Sequence, residues 1–280
     1  MVSVDWLKLM LKYPLGGLSR LQGQLDRRRD ARDWQRVGLP PREFYGAGPD
    51  ADRRMHELIG APWPCQAQSD LRGVLQGMKD EFARQALEAG DAQVAYASQS
   101  DLLAERFDTD AEVLRATWCA TRHLSAARVV ETGVARGITS RCILEALDLN
   151  GHGELWSIDL PHAETTRFGQ IGSAVTDNLR ERWTLILGSS RQYLPGLLRQ
   201  LSEIDLFVHD SLHTGRNVRF EIEEAWSRLR PGGVVIADDV NHSLAFRSFV
   251  EAVGATDWVV GERTELGGLW GAIVKPGGGH

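Results

Sequence analysis

The chain has 280 residues, 42% hydrophobic and 25% charged, with a net charge of -6 and a pI near 5.8. That is enough apolar material for one large core plus a helical extension, and the sign of the charge argues against a surface built to grip phosphate backbones. No apolar run approaches the roughly 18 to 20 residues of a bilayer span, and the cysteines, Cys65, Cys119 and Cys142, are scattered, with neither paired metal spacing nor an even disulfide count. A reducing, cytoplasmic setting is the expectation.

The N-terminal segment MVSVDWLKLMLKYPLGG is apolar in part, carries Asp5 and Lys8 and lacks a small-residue cleavage pattern, so a docking helix is expected. Acids interrupt the basic run Asp26 to Arg32, DRRRDAR, which reads as a solvated helical segment without nucleic-acid binding. LPPREFYGAGPD and GAPWPC read as loops or a loosely ordered cover. Asp70 to Glu88 has helical apolar spacing, Leu71, Val74, Leu75, Met78, Phe82 and Leu87, ended by Gly90. A further helix is expected over Asp110 to His123, capped by Thr109 or Asp110, with Leu114, Trp118 and Thr121 facing inward. Residues 1–104 are taken as a helical region that covers an acceptor site or makes a dimer contact, and 105–280 as the main domain.

The main domain opens with VVETGVARG, Val129 to Gly137: a β-branched strand, Glu131 at its end, a tight loop with Gly133 and Gly137, then a helix over Ile138 to Leu147. The ExGxxxG spacing differs from the dinucleotide fingerprint GxGxxG, and the carboxylate would repel a pyrophosphate and attract an ammonium. S-adenosylmethionine (SAM) carries an ammonium and no phosphate. Thr139 or Ser140 at the helix start is available to its carboxylate.

Four more strands follow, each ending in polar residues. Leu155 to Asp159 delivers Asp159 where an acid accepts ribose hydroxyls. Trp183 to Leu187 precedes Gly188, Ser189 and Ser190, a small polar turn where an adenine edge could lie, although such residues are also ordinary turn chemistry. Ile204 to Val208 ends in His209 and Asp210, and Gly233 to Ala237 ends in Asp238 and Asp239. Right-handed crossovers bring these ends to one rim of a parallel sheet. Aspartates at strand ends also cap helices and start turns. If the strand continues, His209 faces away from Asp210, and no role is given to it. Ser243 to Val253 reads as a helix, and Asp257 to Val260 and Leu269 to Val274 as an antiparallel closing pair. The terminal GGGH reads as flexible and needs no function.

From about Thr109 to Pro276 this order of motifs resembles the class I SAM-dependent methyltransferases. HDSLHT, His209 to Thr214, then VRFEIEEAWSRL and RPGGVVIADDV, is similar to bacterial O-methyltransferases of secondary metabolism acting on small hydroxylated metabolites, of the magnesium-binding macrolide, sugar and cephalosporin-pathway type. The resemblance implies a Rossmann-like α/β fold: a doubly wound, mostly parallel seven-stranded sheet with an antiparallel C-terminal pair and an N-terminal helical extension. It also implies Asp210, Asp238 and Asp239 as magnesium ligands, and His213 as the base beside the acceptor hydroxyl. Hard divalent cations do favour oxygen donors, and a ligated hydroxyl is more acidic. His213 at a helix start could equally hydrogen-bond locally, and Asp238 and Asp239 could form a solvated turn. Cofactor contacts fall to Glu131, Gly133, Ala135, Gly137, Thr139, Ser140, Asp159, Ser189, Ser190 and Asp210.

Two departures from the pattern stand out. Ala135 occupies the place of a middle glycine, and Gly215 that of an aromatic residue after the histidine. Three alternatives stay open: a metal-free methyltransferase whose aspartates bind acceptor hydroxyls, a SAM-binding partner protein without catalysis, and an NAD-dependent oxidoreductase; a homo-oligomer is allowed for each.

Overall fold

A computed structural model of the chain describes residues 15–88, 111–160, 171–263 and 268–277, with side chains in the first segment described over 22–82 and at 84. The docking helix expected at the N-terminus therefore lies mostly outside the described residues, as do the Thr109 or Asp110 cap, the side chain of Leu87, Gly90 and the last residues of GGGH.

Seven strands form one sheet: β1 (Arg128–Thr132), β2 (Glu154–Asp159), β3 (Trp183–Leu187), β4 (Ile204–His209), β5 (Leu229–Ala237), β6 (Trp258–Glu262) and β7 (Leu269–Val274), in spatial order β3-β2-β1-β4-β5-β7-β6. β1 pairs in parallel with both β2 and β4, and β7 runs antiparallel to both β5 and β6. The fold is thus the expected mostly parallel α/β sheet closed by an antiparallel strand. The chain leaves β1 toward β2 on one side and returns to β4 on the other, so the crevice above the ends of β1 and β4 is the topological switch point, where open α/β sheets bind ligands.

β-Branched and aliphatic residues alternate between the two faces of the sheet. Val130, Phe207 and Val235 pack with Val218, Ile222 and Phe249 on one side, while Val129, Leu206, Val234 and Ile236 pack with Ile143, Leu144 and Leu147 on the other. The helices on these faces are α5 (Ala111–His123), α6 (Ile138–Asn150), α7 (Ser190–Leu201), α8 (Gly215–Arg228) and α9 (Ala245–Val253). As expected, Leu114, Trp118 and Thr121 of α5 face inward and are buried.

The N-terminal region is more ordered than its loop-like composition suggests. Helix α1 (Leu15–Val37) contains the whole basic run, α2 (Pro41–Tyr45) is a single turn, α3 is Ala51–Leu58 and α4 is Ala67–Glu88. The expectation of a loop over LPPREFYGAGPD is corrected here: Pro41 occupies the first turn, where its missing N–H costs nothing, and Tyr45 anchors α2 by burial and by donating its hydroxyl to the Ser243 carbonyl at 2.9 Å. Ala51 and Met55 of α3 share a core cluster with Val259 and Trp270, so this region is packed onto the sheet. No helix among the described residues is long and apolar enough to cross a membrane.

Candidate active site

The rim has two halves. On the β1/β2 side Glu131 is fully buried. Its Oε2 accepts from Ser140 Oγ at 2.6 Å and Ser157 Oγ at 2.8 Å, while Oε1 is buried with no hydrogen-bond partner. Burial pushes the Glu131 carboxyl up to about 7, against the two serine bonds, and the neighbouring Asp159 charge adds to the rise. Ser140 is thus engaged by Glu131, and Thr139 beside it is buried.

Asp159 sits at the end of β2 with Oδ2 accepting from the amides of Val134 (3.2 Å) and Ala135 (2.9 Å), so the second acid steadies the glycine loop. A Cβ on Gly133 would run into the Asp210 carbonyl, which is why the loop can pass close under β4 only as glycine. Ala135 has φ 49°, the left-handed region, and this explains why a glycine suits that place. Gly137 opens α6. Ser189 precedes α7, and Ser190 is also a hydrogen-bond partner of Glu221.

On the β4/β5 side Asp210, Asp238, Asp239 and His213 come together. His213 Nε2 lies 3.8 Å from Asp210 Oδ1 and 3.7 Å from Asp239 Oδ2, and its Nδ1 is buried without a partner. Burial, and then the His209 charge, hold the His213 imidazole down at about 3, so it is neutral at ordinary pH. Burial, and then the Asp238 charge, raise Asp210 well above the usual carboxylate range. Burial raises Asp238 to about 6 although Arg263 opposes it.

Arg263 is the residue the sequence did not announce. Its Nη1 donates to Asp238 Oδ2 at 3.1 Å and to Asp239 Oδ1 at 2.7 Å, with both Arg263 and Asp238 side chains buried. The guanidinium spans two of the three carboxylates expected to hold magnesium. Nor do Asp210, Asp238 and Asp239 bring one oxygen each within 4.8 Å of the others, whereas His56, Cys65 and His123, elsewhere in the fold, do bring their ligand atoms that close. The trio as arranged does not fit a shared divalent ion, which needs its oxygens at about 2.0–2.6 Å from one centre.

Behind this half lies a polar network under the rim. Glu221 of α8 accepts from Thr132 Oγ1 and His209 Nδ1, both at 2.6 Å, and from Ser211 Oγ and Asn217 Nδ2 at 2.9 Å. Burial alone would raise Glu221, but the His209 charge and these donors outweigh it and hold it at about 2. His209 turns inward, away from Asp210, and positions this carboxylate. A glutamate on the apolar stripe of α8, between Val218 and Ala225, was the signal for it.

Helix α1 approaches the same half. Asp30 Oδ2 accepts from the Gly215 amide at 3.0 Å, and a Cβ at Gly215 would meet Asp30 and Ser243, so glycine stands here because the N-terminal helix occupies the space.

Residues 130–240 match the family described as a methyltransferase domain. No curated protein matches the chain. Among solved structures, the chain is similar to the O-methyltransferase TomG from Streptomyces achromogenes, in complex with SAM (20% identity, 62% of this chain and 86% of that one, TM-score 0.49). It is also similar to an O-methyltransferase from Bacillus cereus in complex with SAH (17% identity, 72% and 97%, TM-score 0.48) and to cofactor-bound Rv0187 from MTB (20% identity, 69% and 89%, TM-score 0.49).

Proposed function

Starting from a chain whose residues 130–240 match a methyltransferase-domain family and whose sheet has the class I order, we propose that it transfers a methyl group from SAM to a hydroxyl oxygen of a small acceptor, with no magnesium in the site. One observation carries the cofactor reading: Glu131, at the switch point, keeps a buried carboxylate oxygen without a donor, and the ammonium of SAM has the charge and hydrogens to meet it. Glu131 and the Gly133 to Gly137 loop would hold the methionine end and Asp159 the ribose. When bound, SAM supplies an electrophilic methyl group.

The chain's own residues then have two tasks. His213, neutral and with an unpartnered Nδ1, accepts the hydrogen of the acceptor hydroxyl and so aims an oxygen lone pair. A base held near 3 is too weak to strip an alcohol beforehand, so the proton moves as the new C–O bond forms, and the Asp239 carboxylate 3.7 Å away is its next acceptor. Arg263 fixes Asp238 and Asp239 as a charged wall that can bind other acceptor hydroxyls. Helix α1, reaching the rim through Asp30, supports a role for the N-terminal region in covering the acceptor.

Radiolabelled SAM incubated with pools of hydroxylated metabolites tests the reading. Transfer of label at a rate unchanged by added magnesium, after passage of the protein over a chelating resin, is expected. A strict need for magnesium would overturn the metal-free site, and labelling at nitrogen or carbon only would overturn O-methylation.

A further inference from the structure

Away from the rim, three soft or borderline ligand groups converge where the N-terminal helices meet α5, with a fourth beside one of them. His56 comes from α3, Cys65 from the segment before α4, and Cys119 and His123 from one face of α5, a helical turn apart. His56, Cys65 and His123 bring one ligand atom each within 4.8 Å of one another. Cys119 Sγ lies 3.8 Å from Cys65 Sγ. Two sulfurs bound at about 2.3 Å to a tetrahedral zinc stand about 3.8 Å apart.

The hydrogen-bond geometry agrees. His56 Nδ1 donates to the Asp52 carbonyl at 2.7 Å, which fixes the tautomer and leaves the Nε2 lone pair free, as the outer partner of a metal-bound histidine does. That Nε2 and the Nε2 of His123 are both buried with no hydrogen-bond partner. Nitrogens buried in this way are costly to leave unmet. His56 is 2% exposed, Cys65 6% and Cys119 0%, and the Trp63 ring stands 4.9 Å from that of His56.

We infer that His56, Cys65 and His123 form a site for a zinc-class divalent ion that ties α3 and the following segment to α5, with Cys119, beside Cys65, as the donor that a small shift would bring in as the fourth. His123 ends α5 just before β1 begins, so the site lies toward the opposite edge of the sheet from the functional rim and is structural. Nothing in it depends on the methyl-transfer reading. Binding the ion releases the proton of each thiol and leaves the imidazoles neutral.

The test uses the full chain without an affinity tag, purified under reducing conditions with no added metal. Elemental analysis is expected to find one zinc per chain, and exchange with cobalt to give an intense thiolate-to-cobalt charge-transfer band with tetrahedral d–d absorption. Stripping the ion should lower the thermal midpoint, and added zinc should restore it. Cys65→Ser and His123→Gln, checked for a native circular dichroism spectrum, should each lose the stoichiometric metal, and Cys119→Ser should weaken the charge-transfer band. Wild-type protein that neither carries nor takes up zinc or cobalt would overturn the inference, as would a Cys65–Cys119 disulfide in the intact mass.

Discussion

The two halves of the rim treat positive charge in opposite ways. On the β4/β5 side Arg263 bridges Asp238 and Asp239, and Glu221 accepts from His209 and four other donors. On the β1/β2 side Glu131 receives two neutral serine hydroxyls and leaves one oxygen unmet, with its carboxyl raised to about 7. Asp238 Oδ1 is likewise buried without a partner, so the contrast lies in the guanidinium that Arg263 brings to the β4/β5 half. A buried acceptor met only by neutral hydroxyls suits a cationic ligand, and on the proposed reading this sets a cofactor side apart from an acceptor side within one sheet edge.

The sharpest break should come at His213. His213→Ala is expected to lower kcat by about 10²- to 10⁴-fold while leaving SAM affinity unchanged, read by initial rates alongside calorimetry. Arg263→Met would strip the cation from a buried pair, and denaturant unfolding should show a loss of about 3–5 kcal/mol, because both carboxylates would remain without their partner. A loss below about 1 kcal/mol would mean that the bridge does not organise that half.

Glu131 gives a pH signature with a definite sign. Its folded pKa is raised from 4.5 to about 7, so the neutral form is favoured without ligand, and the buried carboxylate costs stability as pH rises through that window. An ammonium ligand needs the charged form, so SAM affinity should rise with pH and be severalfold weaker near pH 6 than near pH 8, with the gain limited as the ligand's own ammonium begins to lose its proton. Glu131→Gln should bind more weakly and flatten that dependence. The smallest effect is expected at Ala135, whose left-handed backbone costs about 1 kcal/mol: Ala135→Gly should raise the thermal midpoint slightly without loss of SAM binding, provided glycine's extra unfolded-chain freedom does not consume the gain.

Much of the fold was legible because its signals are local. The strands Trp183–Leu187 and Leu269–Val274 have the bounds that their apolar runs indicate, and α5 and α6 begin and end within a few residues of expectation. Carboxylates at strand ends could be read from order alone, since crossover handedness sends them to one rim. What each acid touches could not. Arg263 reaches Asp238 and Asp239 from 25 and 24 residues away, and Asp30 reaches Gly215 across 185 residues, pairings that only the assembled sheet creates. The same holds for His56, Cys65, Cys119 and His123, which show no metal spacing along the chain and meet only because α3 and α5 pack together. The one helix expected as loop, α2, was hidden by prolines and glycines whose turn chemistry overrode a buried tyrosine.

The measurement that tests the central claim most directly is calorimetric titration of the full chain with SAM, its demethylated product and NAD, at about pH 6 and about pH 8. Saturable binding of SAM and product, stronger at the higher pH, with no heat from NAD, is the predicted result. Binding of NAD in place of SAM, or SAM affinity that falls as pH rises, would contradict the assignment of Glu131 and its half of the rim to the cofactor.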